Sequence, residues 1–324
     1  MSIDQDIQAA RALLRKGEVV AMPTETVYGL AAPIDNESGL KRIFAVKERP
    51  LFDPLIVHVA DIRDAMKVVR SWPAAAAALA KKFWPGPLTL VLPKAAGVNS
   101  LITAGLDTVG VRMPAHPVAQ KLIRATGCPL AAPSANKFGK TSPTKAEHVR
   151  KSFPEIFIVD GGPSEVGLES TVVEVREGPS GTGLFLLRPG AVTKEMIEAA
   201  LVEAGISISV DRLTSSASPG HTENHYMPVI PLVIVDGAMR LSESLRARII
   251  DDFQLSTGSI GTELKLDSNP KLAARSLYAK MRDASDTGSE FIWVVRRKEN
   301  SGGLWEAIWD RLERAASKTY PAPP

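Results

Sequence analysis

"EVVAMPTETVYGLAA", residues 18–32, is a strand-like apolar run broken in its middle by Pro23. Branched and small apolar residues suit a strand, while proline cannot donate to a ladder, so the run is expected to stop at a sheet rim. The pattern continues on both sides. Upstream, Ile7, Ala10, Leu13 and Leu14 recur at helical spacing, with Gly17 placed to end the helix. Downstream, "GLKRIFAVK" (39–47) and "PAAAAALAKKF" (73–83) read as helices, the second stopped by Pro-Gly-Pro at 85–87. "PLIVHVA", "LTLVLP", "VGVRMP", "PLAAP", "IFIVD", "STVVEV" and "LFLLRPG" are short apolar runs, several ending at proline. Helical patterns at 117–126, 144–152 and 193–204 lie among them. Strands and helices mixed in this way predict an α/β domain over residues 1–210.

Composition changes at "DRLTSSASPGHTENHYMPVIP", residues 211–231, where Ser, Thr, Pro and Gly dominate and no period survives. That stretch reads as a long linker. Beyond it, over 232–324, "PLVIVDG", "QLSTGSIG" and "EFIWVVR" each precede a helical pattern, at 241–252, 269–283 and 303–316. Three strand–helix units in a row predict a smaller, Rossmann-like parallel α/β domain.

With 324 residues and 44% apolar content, the chain is long enough for two such globular domains. A net charge of +3 is too small to imply a nucleic-acid partner, although a local basic pocket stays open. The single cysteine, Cys128, excludes a disulfide framework and a Cys-based zinc ribbon, fits a reducing compartment, and reads as a small buried core residue. The N-terminal stretch has early acids and no apolar core, unlike a signal peptide, and no run approaches a transmembrane span. A cytoplasmic protein with no membrane association is the expectation.

Several motifs carry chemistry. "SANKFGKTSP" (134–143) ends like a Walker A loop, but Ser134 stands where the first glycine belongs, and Ser142-Pro143 starts the next helix about three residues too late. What survives is a Ser/Asn loop whose Ser134, Asn136 and Ser142 could meet a ligand or form a plain turn. In "KERP" (47–50), Lys47 and Arg49 would share one face of an extended segment, which Pro50 favours. A solvated basic turn is the other reading. Arg112 and Arg188 each end an apolar run beside a proline. Four such cations gathered at strand ends would suit a polyphosphate or carboxylates. Thr24 and Thr26 lie two apart, on one face of an extended segment, where their hydroxyls suit a small polar ligand or are plain strand threonines. His58 interrupts an apolar run as a satisfied core histidine would. "HTENH" (221–225) lacks the H-E-x-x-H spacing and a helix, so zinc is rejected. Trp305 and Trp309, one helical turn apart, read as core. Nucleophile elbow, dinucleotide fingerprint and acidic metal cluster are all missing from the pattern.

Taken in order, "PTETVYGL", "KERPLFDPLIVHV", "LTLVL", "VGVRMPAHP", "APSAN", "GLESTVVEV" and "LLRPGAVT" resemble the YrdC-like domain of threonylcarbamoyl-AMP synthases, whose sheet is twisted and mixed. "SPGHTENHYMP" looks like the linker of the long, two-domain form, and "LYAKMRDAS" with "GLWEAIWDRLERAA" resembles its C-terminal domain. The resemblance implies that L-threonine, bicarbonate and ATP, with magnesium, give threonylcarbamoyl-AMP and pyrophosphate. It also implies hand-over of the product to a tRNA threonylcarbamoyl transferase complex, with weak or no direct tRNA binding. Carried over by position, Lys47, Arg49, Ser134 and Asn136 form the catalytic group. Thr26, His58, Arg112, Ala132 and Ser170 would bind L-threonine, with Arg112 on its carboxylate. Arg49, Asp53, Thr108, Ser134, Ser142, Arg188 and Tyr226 would bind ATP, with Tyr226 reaching back from the linker over the nucleotide. Magnesium is expected on the ATP phosphates. Asp53 replaces the family's usual Asn, and a carboxylate there should act through that metal or turn to a nearby arginine. The C-terminal domain is expected to be a structural or regulatory lid partner.

Two rival readings make different demands on the sequence. A hydrogenase-maturing carbamoyltransferase would need zinc-binding cysteines and an acylphosphatase module. An RNA-binding translation or ribosome-associated factor would need the aromatic–basic interleaving that this sequence lacks.

Overall fold

The computed structural model describes residues 2–178, 181–219, 225–237 and 241–321. The chain divides into two compact units, one of Met1–Phe138 and Ser142–His221, the other of Gly139–Thr141 and Thr222–Pro324.

The first unit is built on ten strands: β1 Val20–Met22, β2 Gly29–Pro33, β3 Ile56–His58, β4 Leu88–Pro93, β5 Thr108–Arg112, β6 Leu130–Ala131, β7 Phe157–Ile158, β8 Thr171–Gly178, β9 Gly181–Arg188 and β10 Val210–Arg212. Their order across the sheet is β10-β9-β8-β4-β5-β3-β6-β2-β1-β7. The pairing is mixed: β3 with β5 and β4 with β8 are parallel, whereas β1 with β2, β3 with β6 and β4 with β5 are antiparallel. Alternation along β1 explains the unbroken apolar runs. Val19 and Ala21 enter one core with Leu40, Ile43 and Leu79, while Val20 and Met22 enter a second with Ile7, Leu14 and Leu122. With helices covering both faces, both sets of alternating positions along β1 are apolar. Pro23 does end β1, and Gly29 resumes the run as β2, paired Met22 to Gly29. The five residues between them form the loop that reaches the candidate site.

The second unit holds β11 Leu232–Asp236, β12 Gly261–Glu263, β13 Phe291–Arg296 and β14 Lys318–Tyr320, in the order β12-β13-β11-β14, all parallel. The expected small parallel α/β domain is therefore present, with one strand more than its three-unit rhythm predicted. The strand expected in "QLSTGSIG" begins only at its last residue, Gly261. Trp305 and Trp309 are buried on the helix Leu304–Ala315, as expected. A cavity of about 410 Å³ lies against the segments that follow β12 and β13, among Glu263, Lys265, Asp267 and Arg297. No helix among the described residues is long and apolar enough to cross a membrane.

Candidate active site

The polar residues cluster at the two ends of the parallel pair β3–β5. At the carboxyl end, His58 stands level with Arg112. Both are buried. The Arg112 guanidinium donates from Nε to the Gly86 carbonyl (3.2 Å), from Nη1 to Thr26 Oγ1 (2.9 Å) and from Nη2 to Glu25 Oε1 (2.5 Å). The loop carrying Glu25 and Thr26 is shaped by Thr24, whose Oγ1 accepts from the Thr26 and Val27 amides and lies 2.8 Å from Thr26 Oγ1. Thr24 and Thr26 are neighbours through this turn and not through an extended strand, because a hydroxyl two residues back competes for the amide. His58 Nδ1 lies 3.1 Å from the Ile56 carbonyl, which also accepts the Ala132 amide at 3.0 Å, so Ala132 and His58 converge there. Burial, then the Arg112 charge, lowers the His58 pKa to about 3 and keeps the imidazole neutral.

At the other end, Lys47 closes the helix Glu37–Lys47, and Glu48 follows in a left-handed conformation, φ 54°. A helix end, not an extended segment, therefore brings Lys47 and Arg49 together. Lys47 Nζ donates to the Ser134 and Asn136 carbonyls, both at 2.5 Å, and its own carbonyl accepts the Phe138 amide. Burial, then the charge of Arg49, holds its pKa well below the usual lysine range, with Asp53 opposing. Arg49 Nε donates to the Asp53 carbonyl (3.1 Å) and Nη2 to the Pro54 carbonyl (2.8 Å), while Nη2 is 2.9 Å from Asp53 Oδ2. The anion near the two cations is thus Asp53, which has turned to the arginine. The pair is buried, so the basic-turn reading of "KERP" fails. Ile56 is level with Gly110, so continuing the register by two residues sets Thr108 level with Pro54, at this same end. Thr108 and Arg112 are about 13 Å apart along an extended strand.

A third group joins Ser170 and Arg188. Arg188 donates from Nε to the Ser170 carbonyl (3.1 Å) and from Nη2 to Ser170 Oγ (3.2 Å), and Ser170 Oγ is 2.8 Å from Thr89 Oγ1. Ser142 Oγ donates to Glu169 Oε1 at 2.6 Å.

Sequence comparisons fit this arrangement. Residues 12–190 match the family model described as "Telomere recombination", and residues 192–317 the one described as "Threonylcarbamoyl-AMP synthase, C-terminal domain". The threonylcarbamoyl-AMP synthase of Bacillus subtilis is 41% identical, over 97% of this chain and 93% of its own length. That of Pyrococcus abyssi is 40% identical, over 96% and 94%. The chain belongs to the threonylcarbamoyl-AMP synthase family. A solved structure of Pyrococcus abyssi Sua5 complexed with L-threonine superposes with a TM-score of 0.83 at 38% identity, covering 100% of this chain and 97% of that one. Family membership over both domains leaves the RNA-binding reading without support.

Among the residues that the synthase resemblance singled out, Thr26, His58 and Arg112 meet at one end of β3–β5, and Ala132 stands level with Ile56 at the start of β3, sharing its carbonyl with the His58 ring. Lys47, Arg49, Asp53, Ser134 and Asn136 meet at the other, with Thr108 on that side. Tyr226 belongs to the second unit. It takes φ 65° and is buried, its ring stacked 5.9 Å from Tyr278 with the Arg311 guanidinium 5.4 Å from its centre. Of the "HTENH" stretch, residues 221–224 lie outside the described residues. Cys128 is half-buried, not a core residue: its thiol meets Asp35, and burial with that carboxylate raises its pKa to about 12. Sequence reasoning missed Glu25. The signal was an acid enclosed by two threonines, and its meaning depends on an arginine 87 residues away.

Proposed function

We propose that this chain makes threonylcarbamoyl-AMP and pyrophosphate from L-threonine, bicarbonate and ATP, the product serving threonylcarbamoyladenosine modification of tRNA beside the anticodon. Similarity to synthases across both domains is the observation that carries this reading. The two ends of β3–β5 suit its two halves. Arg112, with Thr26, His58, Ala132 and Ser170, would receive the amino acid. Arg49, with Thr108, Ser134, Ser142 and Arg188, would receive ATP, and Lys47 holds the loop that presents Ser134 and Asn136. The threonine nitrogen bonds to the carbon of bicarbonate and water leaves, a carbamate oxygen then attacks the α-phosphorus, and pyrophosphate leaves. The chain contributes placement of the anions and fixed positive charge where charge develops on the phosphoryl group.

Among the described residues no group of three or more His, Cys, Asp or Glu could hold a metal. Magnesium would enter on the ATP phosphates, which it would screen. Asp53 fits a part in holding it, since its Oδ1 is buried without a hydrogen-bond partner among the described residues. Tyr226 would add a contact to the nucleotide. A cytoplasmic location and passage of the labile product to a transferase complex, with little direct tRNA affinity, complete the proposal.

The test is pyrophosphate release from ATP, with and without L-threonine and bicarbonate, beside an Arg49→Ala control. Release that needs both co-substrates and is lost in the variant is the expected result. Release indifferent to threonine would overturn the proposal.

A further inference from the structure

Glu25 is a buried carboxylate that the synthase reaction, as assigned above, does not use. Its backbone is fixed on two sides, by the Thr24 turn and by the Val166 amide, which donates to the Glu25 carbonyl at 2.7 Å. Oε1 accepts from Arg112 at 2.5 Å. Oε2 is buried and has no hydrogen-bond partner among the described residues. A shielded carboxylate oxygen without a donor is costly, and a ligand bringing a cationic donor would satisfy it.

Arg112 is complementary. Of the five N–H groups of a guanidinium, three are committed, to Gly86, Thr26 and Glu25, which leaves two for a ligand. The facing His58 is neutral, so the charges of Arg112 and Glu25 cancel. A simple anion would meet an arginine already matched. A molecule carrying both a carboxylate and an ammonium brings one charge for each partner.

We propose that Glu25 receives the α-ammonium of the amino-acid substrate while Arg112 receives its carboxylate, so that the pair is a recognition site for a zwitterion. This rests on the synthase reading and adds a specificity-determining residue to it. Glu25 distinguishes a free α-amino acid from a hydroxy acid of the same skeleton, and it holds the nitrogen in place before carboxylation.

Calorimetric titration of the full chain tests this, with L-threonine and with the hydroxy acid in which hydroxyl replaces the α-ammonium. The unsubstituted protein should prefer threonine by about ten- to a hundredfold, the range of one charge-assisted hydrogen bond. Glu25→Gln should weaken threonine by a similar factor and leave the hydroxy acid within about twofold, so the preference collapses. Equal weakening of both ligands would mean that Glu25 only props Arg112, and would overturn the assignment. If the glutamine variant does not fold, Glu25→Ala is read in the same way. An unsubstituted protein preferring threonine by less than about twofold refutes the assignment without any variant. Failure of that protein to bind threonine at all would overturn the synthase reading itself.

Discussion

The two buried arginine–carboxylate pairs differ in what they hold together. Arg49 and Asp53 are four residues apart, and the arginine also holds the Asp53 and Pro54 carbonyls, all within one short segment. Arg112 and Glu25 are 87 residues apart, and the arginine ties β5 to the loop after β1 and to Gly86 before β4. The first pair shapes a turn. The second joins three parts of the chain at the place proposed for substrate, so fold and recognition share the same bonds there. Leu51 and Phe52, beside Asp53, are 61% and 59% exposed, so a small local shift can return that carboxylate to water. Glu25 has no such exit.

This difference sets the order of expected effects. Arg112→Ala should cost the most, about 3–5 kcal/mol, because it leaves Glu25 charged and buried. Urea denaturation measures it, and adding Glu25→Ala should recover part of the loss. Arg49→Ala should cost less, about 1–3 kcal/mol, while abolishing pyrophosphate release. An equal loss in the two single variants would break the comparison. On the Arg112 side, acid should act through His58. His58 has a pKa of about 3 when folded and 6.5 as a free side chain. Below pH 6.5 the unfolded chain gains a proton there that the folded chain refuses, so stability falls as pH is lowered towards 3. The loss should reach about 2 kcal/mol by pH 5, and His58→Gln should flatten that slope in melting curves from pH 7 to 5. Asp53→Asn should be mildest, changing stability by less than about 1 kcal/mol, because the backbone contacts of Arg49 remain. It should still shift the magnesium dependence of activity. An unchanged magnesium curve would remove Asp53 from any part in holding the metal.

Much of the first unit was legible because burial on both faces forces whole strands to be apolar, and because prolines mark their ends. The helices at 117–126 and 193–204 were legible from their periodic apolar faces, and appear as Pro117–Thr126 and Lys194–Glu203. The misses share a cause. β10 and β14 are three residues each at sheet edges, and β12 is only half-buried, so none has a hydrophobic run to announce it. The helix Ile62–Val68 is likewise short, with two buried residues. The candidate site was legible by resemblance, residue by residue, but its geometry was not. Spacing of two suggested extended pairs at Lys47/Arg49 and Thr24/Thr26, whereas a left-handed helix cap and a hydroxyl-capped turn make those approaches. Asp53 was visible as the odd acid of its motif, since its arginine lies one turn away. Glu25 needed the tertiary fold to find its own.

Lys47 has a consequence for chemical labelling. A lowered pKa makes an amine a strong nucleophile at neutral pH, yet this one is 1% exposed and bound to two carbonyls. In the closed loop, an acylating reagent would pass it by. Any opening of residues 134–138 would expose this amine to the reagent, so its acylation rate is a built-in clock for how often that loop comes undone.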